Sequence, residues 1–353
     1  MDPGPRRMLD RPVIKYLGSK RVLLPAIVQA VAGLDGVRTV VDLFSGTSRV
    51  GHALKAAGYQ VFSNDHNAYA ATLARCYVQA DDDLAAAAER ILAELRSLPG
   101  KAGYFTENFC IQARFFQPRN GEKIDAIRDA ITKMSLEPEL EAVILVALME
   151  AADRVDSTTG IQMAYLKSWS PRSHKELELR LPQLLPRSPH GAGQAHALEA
   201  LQAARELEGD LIYIDPPYNQ HKYLGNYHIW ESLVRWDQPE VYGVARKRVD
   251  CRQRSSAFNS RPGILGALRA VIQAARAPNL LVSFSNEGFI SRANMEEMLR
   301  ERGEVQVIEH DFRRYVGARI GIYNPSGERV GKVSHVTNKE YLYLVTSARE
   351  PSR

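Results

Sequence analysis

The segment Thr39-Val-Val-Asp-Leu43 constrains this chain most. β-Branched residues dominate it and turn residues follow, so it reads as a buried strand. Phe44-Ser-Gly-Thr-Ser48 is then a tight loop, and residues 49–57 carry a helical pattern that stops at Gly58. A second strand spans 59–63 and ends at Asn64-Asp65. Strand, loop, helix and strand in that order form a βαβ unit, which builds an open parallel sheet.

The α/β pattern resumes late. Leu211-Ile-Tyr-Ile214 and residues 280–285 read as strands flanking a helix over 264–275, with further strands at 305–309 and 341–346. Between the two halves, residues 101–195 carry aromatic pairs (Tyr104-Phe105, Phe115-Phe116) and helical stretches over 123–134 and 139–155. They end in a passage rich in proline and glycine. The simplest architecture is an α/β sheet interrupted by a helical insertion, with segments 1–100, 101–195 and 196–353. The 353 residues suffice for one large or two ordinary domains.

Other classes are excluded quickly. The longest apolar run, Ala142 to Met149, is closed by Glu141 and Glu150 and falls far short of the roughly 20 residues that cross a bilayer. No apolar segment follows Arg6-Arg7, so no secretory signal is expected. Cys76, Cys110 and Cys251 are too scattered for a disulfide framework or a metal knuckle and fit a reducing cytoplasm.

The loop after the first strand holds Gly46 and leads to Gly51. In open α/β sheets ligands bind beyond the carboxyl ends of the strands. A dinucleotide needs a second glycine two positions after Gly46, and a triphosphate needs Lys-Ser/Thr after Gly51; Ser48 and His52-Ala53 stand there instead. Asp42 ends the first strand and Asp65 follows the second. Carboxylates in those places suit a ligand bearing an ammonium group and ribose hydroxyls, and S-adenosylmethionine has both.

Asp215-Pro-Pro-Tyr218 directly follows the strand 211–214, on the same rim as Asp42 and Asp65. Two prolines donate no backbone hydrogen bonds and stiffen the turn. The Asp215 carboxylate and the Pro216 carbonyl are therefore two acceptors beside an aromatic ring. A planar amino group on a nucleobase needs that arrangement. Gripping both its hydrogens favours a pyramidal nitrogen whose lone pair can attack an electrophilic methyl, a matter of positioning and electrostatics. Tyr218 would stack on the base.

On these residues the chain resembles the Dam-like (D12 class) adenine-specific DNA methyltransferases. Lys15-Tyr-Leu-Gly-Ser-Lys20 matches the family's N-terminal motif, Asp42, Phe44 and Gly46 its Asp-x-Phe-x-Gly, Asn64-Asp65 its ribose contact, and Asp215–Tyr218 its tetrad. The resemblance implies a Rossmann-like, S-adenosylmethionine-dependent methyltransferase sheet, mostly parallel with an antiparallel last strand, and a target-recognition insertion over 101–195. Carried over, Tyr16, Lys20, Phe44 and Gly46 contact the cofactor, Asp42 its methionine end and Asp65 its ribose. Asp215 serves both cofactor and target amine, and Asp215, Pro216, Pro217 and Tyr218 form the catalytic set. Tyr223, Tyr227, His228 and Trp230 stay outside that set, because packing explains them equally well.

The family acts on a base flipped out of double-stranded DNA. Residues 235–261 support a polyanion partner: Arg235, Arg246, Lys247, Arg248, Arg252, Arg254 and Arg261 face only Asp237, Glu240 and Asp250. Arg246, Lys247 and Arg248 are expected at the phosphates, with Arg313, Arg314 and Arg319 as candidates to extend that surface. Phe105, Arg114, Arg119 and Lys167 either read bases or build the insertion. The expected product is adenine methylated on N6, with cytosine N4, an RNA adenine, or a non-catalytic DNA-binding specificity subunit as rivals. Monomeric action suits an asymmetric substrate. No nuclease motif is found, which leaves room for a separately encoded restriction endonuclease.

Overall fold

The computed structural model describes residues 13–313, 322–323, 329–331 and 337–347. Seven strands form the main sheet: β1 (Thr39–Asp42), β2 (Gln60–Asn64), β3 (Gln194–His196), β4 (Leu211–Ile214), β5 (Asn279–Ser285), β6 (Glu304–Arg313) and β7 (Thr337–Thr346). Their order is β3-β2-β1-β4-β5-β7-β6. Strands β3, β2, β1, β4 and β5 pair in parallel, whereas β7 runs antiparallel between β5 and β6. The expected sheet, mostly parallel with an antiparallel last strand, is present.

Parallel strands bury both faces and so read as continuous apolar runs, as Leu211–Ile214 does. Alternation sends neighbours to opposite layers. Val40, Leu211, Leu281 and Leu342 pack with helices α1 (Leu24–Ala32) and α2 (Arg49–Ala56). Val41, Ile212, Val282 and Tyr343 pack with residues 200–207, 264–275 and 295–299 on the other side.

Helices over Ala68–Ala74 (α3), Ala85–Ser97 (α4), Pro118–Met134 (α5), Pro138–Val155 (α6) and His228–Arg235 (α8, after α7 at Ala200–Glu206) build a third cluster. Residues 101–195 therefore share one core with Tyr69, Leu73, Tyr227 and Trp230. The apolar run 142–149 is the middle of α6, buried on every side by that cluster. Among the described residues no helix is long and apolar enough to cross a membrane.

Candidate active site

β1 delivers Asp42 to the carboxyl rim of the sheet. One of its oxygens accepts from the Gly51 N–H at 3.1 Å, while the other, Oδ1, is buried with no hydrogen-bond partner. Gly51 is required there: a Cβ would stand 2.8 Å from Ser63 Oγ and 2.9 Å from Val78 Cγ2. Burial first, then the neighbouring Asp215 and Asp65 charges, push the Asp42 carboxyl up to about 8, against the pull of the Gly51 N–H.

Gly46 has φ +51°, the left-handed region that glycine enters at little cost. Its N–H donates to Asp65 Oδ2 at 3.1 Å, and Asp65 Oδ1 accepts from the Asn67 N–H at 2.9 Å. Asn64 ties this rim together, since its side chain donates to the Leu43 and Leu198 carbonyls, both at 3.2 Å. The Tyr16 ring lies against Gly46, so that a Cβ there would approach it to 3.3 Å. Tyr16 is itself stacked on Tyr227 and Tyr223, with centroids 4.6 and 5.2 Å away. Phe44 packs its edge on Phe258 at 5.1 Å.

Asp215 leaves β4 on the same rim. Lys20 Nζ lies 3.1 Å from its Oδ1 and donates to Glu340 Oε1 at 2.5 Å. Burial raises the Asp215 carboxyl to about 6, with Lys20 lowering it and Glu340 raising it. Tyr218 packs its edge on Phe284, lies under the Lys20 ammonium at 5.6 Å, and accepts from the Phe289 N–H through its carbonyl at 3.0 Å. Asn259 fastens the following turn by donating to the Asn219 and His221 carbonyls at 2.9 and 3.0 Å.

Every residue singled out from the sequence for the site, Pro216 and Pro217 included, lines one cavity of about 360 Å³. Tyr223 lines it too, whereas His228 and Trp230 belong to the helical core. Burial pushes the His228 imidazole down to about 3, so it is neutral, and its Nε2–H donates to the Gln162 carbonyl at 3.0 Å. Sequence reasoning missed Glu340. A buried acceptor with no donor is costly unless a ligand satisfies it. The Asp42 Oδ1 atom, with Asp65 and Asp215 nearby, therefore fits a cationic ligand rich in hydrogen-bond donors, as S-adenosylmethionine is.

The basic stretch needs correction. Arg248 does not face solvent: it is 2% exposed and forks onto Asp237 at 2.7 and 2.8 Å and onto Asp250 at 3.0 Å. Arg246 donates to Asn108 at 2.5 Å, and Arg254 reaches Glu231 at 3.4 Å. A buried cation pairs inside the protein because desolvation is too costly otherwise. Exposed Arg252 and Arg261 rest on the Tyr242 and Phe289 rings. Arg313 ends β6, and Arg314 and Arg319 lie outside the described residues. Of the insertion candidates, Phe105 is a core side chain, and Arg114 holds the Leu166 and Lys167 carbonyls while lying over Tyr165 and Trp169. Arg119 holds the His174 carbonyl, and Lys167 is exposed.

The chain is similar in sequence to known DNA methyltransferases. The model of the family described as D12 class N6 adenine-specific DNA methyltransferase matches residues 16–285. Type II methyltransferase M.NlaIII of Neisseria lactamica is 28% identical over 340 residues, covering 93% of this chain and 100% of that protein. Modification methylase StsI of Streptococcus sanguinis is 29% identical over 327 residues, covering 87% of this chain and 50% of its own length. Type II methyltransferase M.FokI of Planomicrobium okeanokoites is 28% identical over 325 residues, with 86% and 50% covered. The chain thus spans about half of the latter two. A match over most of its length, resting on a cavity that gathers the family's motifs, shows that the chain belongs to the D12 class N6 adenine-specific DNA methyltransferases.

Proposed function

We propose that the cavity binds S-adenosylmethionine beside an adenine flipped from double-stranded DNA, and that Asp215 receives the target amine. The observation that carries this is the shared cavity: the Asp215 carboxylate and the unpartnered Asp42 oxygen line one space. When bound, S-adenosylmethionine supplies an electrophilic methyl group. Asp42 accepts from its ammonium end, Asp65 from its ribose hydroxyls, and Tyr16, Phe44, Gly46 and Lys20 shape the space around it. Asp215 and the Pro216 carbonyl accept the two N6 hydrogens, Pro217 stiffens the turn, and Tyr218 provides an aromatic wall. The amine nitrogen forms the new bond to carbon, the carbon–sulfur pair stays on sulfur, and the surplus proton leaves to solvent.

Target reading falls to the 101–195 segment. The Gln162 N–H donates to the Asn226 carbonyl at 2.7 Å, and its side chain accepts from the Ile229 N–H at 2.9 Å. Those contacts stitch the loop carrying exposed Met163 and Lys167 to the chain just after the Asp-Pro-Pro-Tyr turn. We read the protein as a cytoplasmic monomer working beside a separately encoded restriction endonuclease; the type II names of its relatives bear on the endonuclease alone. The test incubates protein with methyl-labelled donor and either DNA or RNA, digests to nucleosides and identifies the product. N6-methyldeoxyadenosine is expected, and its loss in folded Asp215→Ala. Labelled methylcytidine, methylated RNA alone, or full activity of that variant would overturn the reading.

A further inference from the structure

The Lys20 ammonium sits between two carboxylates that lie far apart in the chain, Asp215 and Glu340. Asp215 follows β4, while Glu340 lies near the start of β7, on the face that also carries Leu342 and Leu344. Because β7 is antiparallel, its first residues reach the carboxyl rim of the parallel strands, with Glu340 opposite Ser285 on β5 and His310 on β6. Lys20 is 6% exposed and Glu340 9%, so this is a largely dehydrated cluster in which charge is weakly screened. An ammonium has three donors and no acceptor. With Asp215 as its sole anion it would collapse onto that carboxylate and compete with any other donor there. In the structure its shorter contact is to Glu340, 2.5 Å against 3.1 Å.

We propose that Glu340 is a positioning residue for methyl transfer: it draws Lys20 partly off Asp215, keeping that carboxylate available to the target amine. This rests on the reading of Asp215 as the amine acceptor. The charged and titratable groups facing the pair are Lys20, Asp42, Tyr213, Tyr218 and Tyr223 around Asp215, and His310 across from Glu340. Glu340 raises the Asp215 carboxyl and Lys20 lowers it. Replacing Glu340 by glutamine removes the first effect and frees Lys20 to strengthen the second, so both changes act in one direction.

The experiment measures kcat and KM against pH for wild type, Glu340→Gln and Glu340→Asp, with thermal unfolding to confirm folding. In Glu340→Gln the plateau kcat should fall about 10- to 100-fold, as misplacement of a reacting group does, with little change in KM. Its acidic limb should move down by at least about half a pH unit. Glu340→Asp keeps the charge: its limb should stay in place while kcat recovers most of the loss. An unmoved limb with wild-type kcat in Glu340→Gln overturns the proposal, and so does equal damage in both variants. Should the glutamine variant not fold, a displaced limb in Glu340→Asp overturns it. Wild type separates the two readings: no N6-methyldeoxyadenosine from wild type defeats the assignment of Asp215, whereas an active wild type with insensitive Glu340 variants defeats this proposal alone.

Discussion

Asp42 and Asp215 hold their protons more tightly than surface carboxylates, to about 8 and about 6 respectively. Only an ionised Asp215 is a strong acceptor, so kcat should climb as pH passes about 6; a profile flat from pH 5 to 7 would contradict that role. Asp42 makes a second prediction. A cationic donor favours its carboxylate, so binding below about 8 must expel a proton, and Kd should fall up to about tenfold per pH unit, then level off. Titration calorimetry in buffers of different ionisation enthalpy reads the proton directly, and none released at pH 7 would refute it. In the free protein the sign reverses. The folded state keeps a proton that the unfolded chain loses above about 4, so Asp42 lowers stability as pH rises towards 8. Asp42, Asp65 and Asp215 were legible because each closes a β-branched or aliphatic strand. Glu340 was not. Its two-residue spacing from Leu342 and Leu344 marks a charge on a buried stripe, yet only the position of β7 in the sheet turns that charge into a site group.

At the level of elements, the first turn of α2 depends on one missing methyl, that of Gly51. Gly51→Ala should destabilise the protein by about 1–3 kcal/mol, because the new Cβ meets Ser63 and Val78 inside 3 Å. Donor affinity should fall with it as the N–H to Asp42 is displaced. Denaturant midpoints and donor titration check both, and a wild-type midpoint would mean the turn yields freely. Arg248 has the corresponding role in the short ribbon formed by Val241–Tyr242 and Lys247–Arg248. Removing it leaves Asp237 and Asp250 with half-exposed Arg235 in place of a buried two-pronged partner, and Arg248→Ala should cost about 3 kcal/mol. The strands β1, β2, β4 and β5 were readable within a residue or two, since apolar runs between turn signals define them. β3 was not, because its three residues, Gln194–His196, carry no apolar pattern and owe their strand form to pairing with β2.

For the whole molecule, the excess positive charge of residues 235–261 was legible and its division was not. Sequence counts charges, whereas the fold spends Arg235, Arg246, Arg248 and Arg254 on internal partners. Three remain: half-buried Lys247 and the exposed Arg252 and Arg261, and the two exposed arginines are the ones free to meet phosphates. Replacing both by alanine should reduce the slope of log K against log salt by about 2 without changing which sequence is methylated. An unaltered slope would place the DNA elsewhere. The shared core of residues 101–195 was equally invisible, since its partners lie on α3 and α8, far away in the chain. The threading of the sheet bears on how the molecule comes into being. β7 is translated after both strands that flank it, so a nascent chain exposes two raw margins with a one-strand gap between them. The same ten residues that close this gap bring in Glu340, the far partner of Lys20. A growing polypeptide thus presents two unpaired strand margins until β7 emerges from the ribosome, and Glu340 reaches Lys20 in the same stroke as closure.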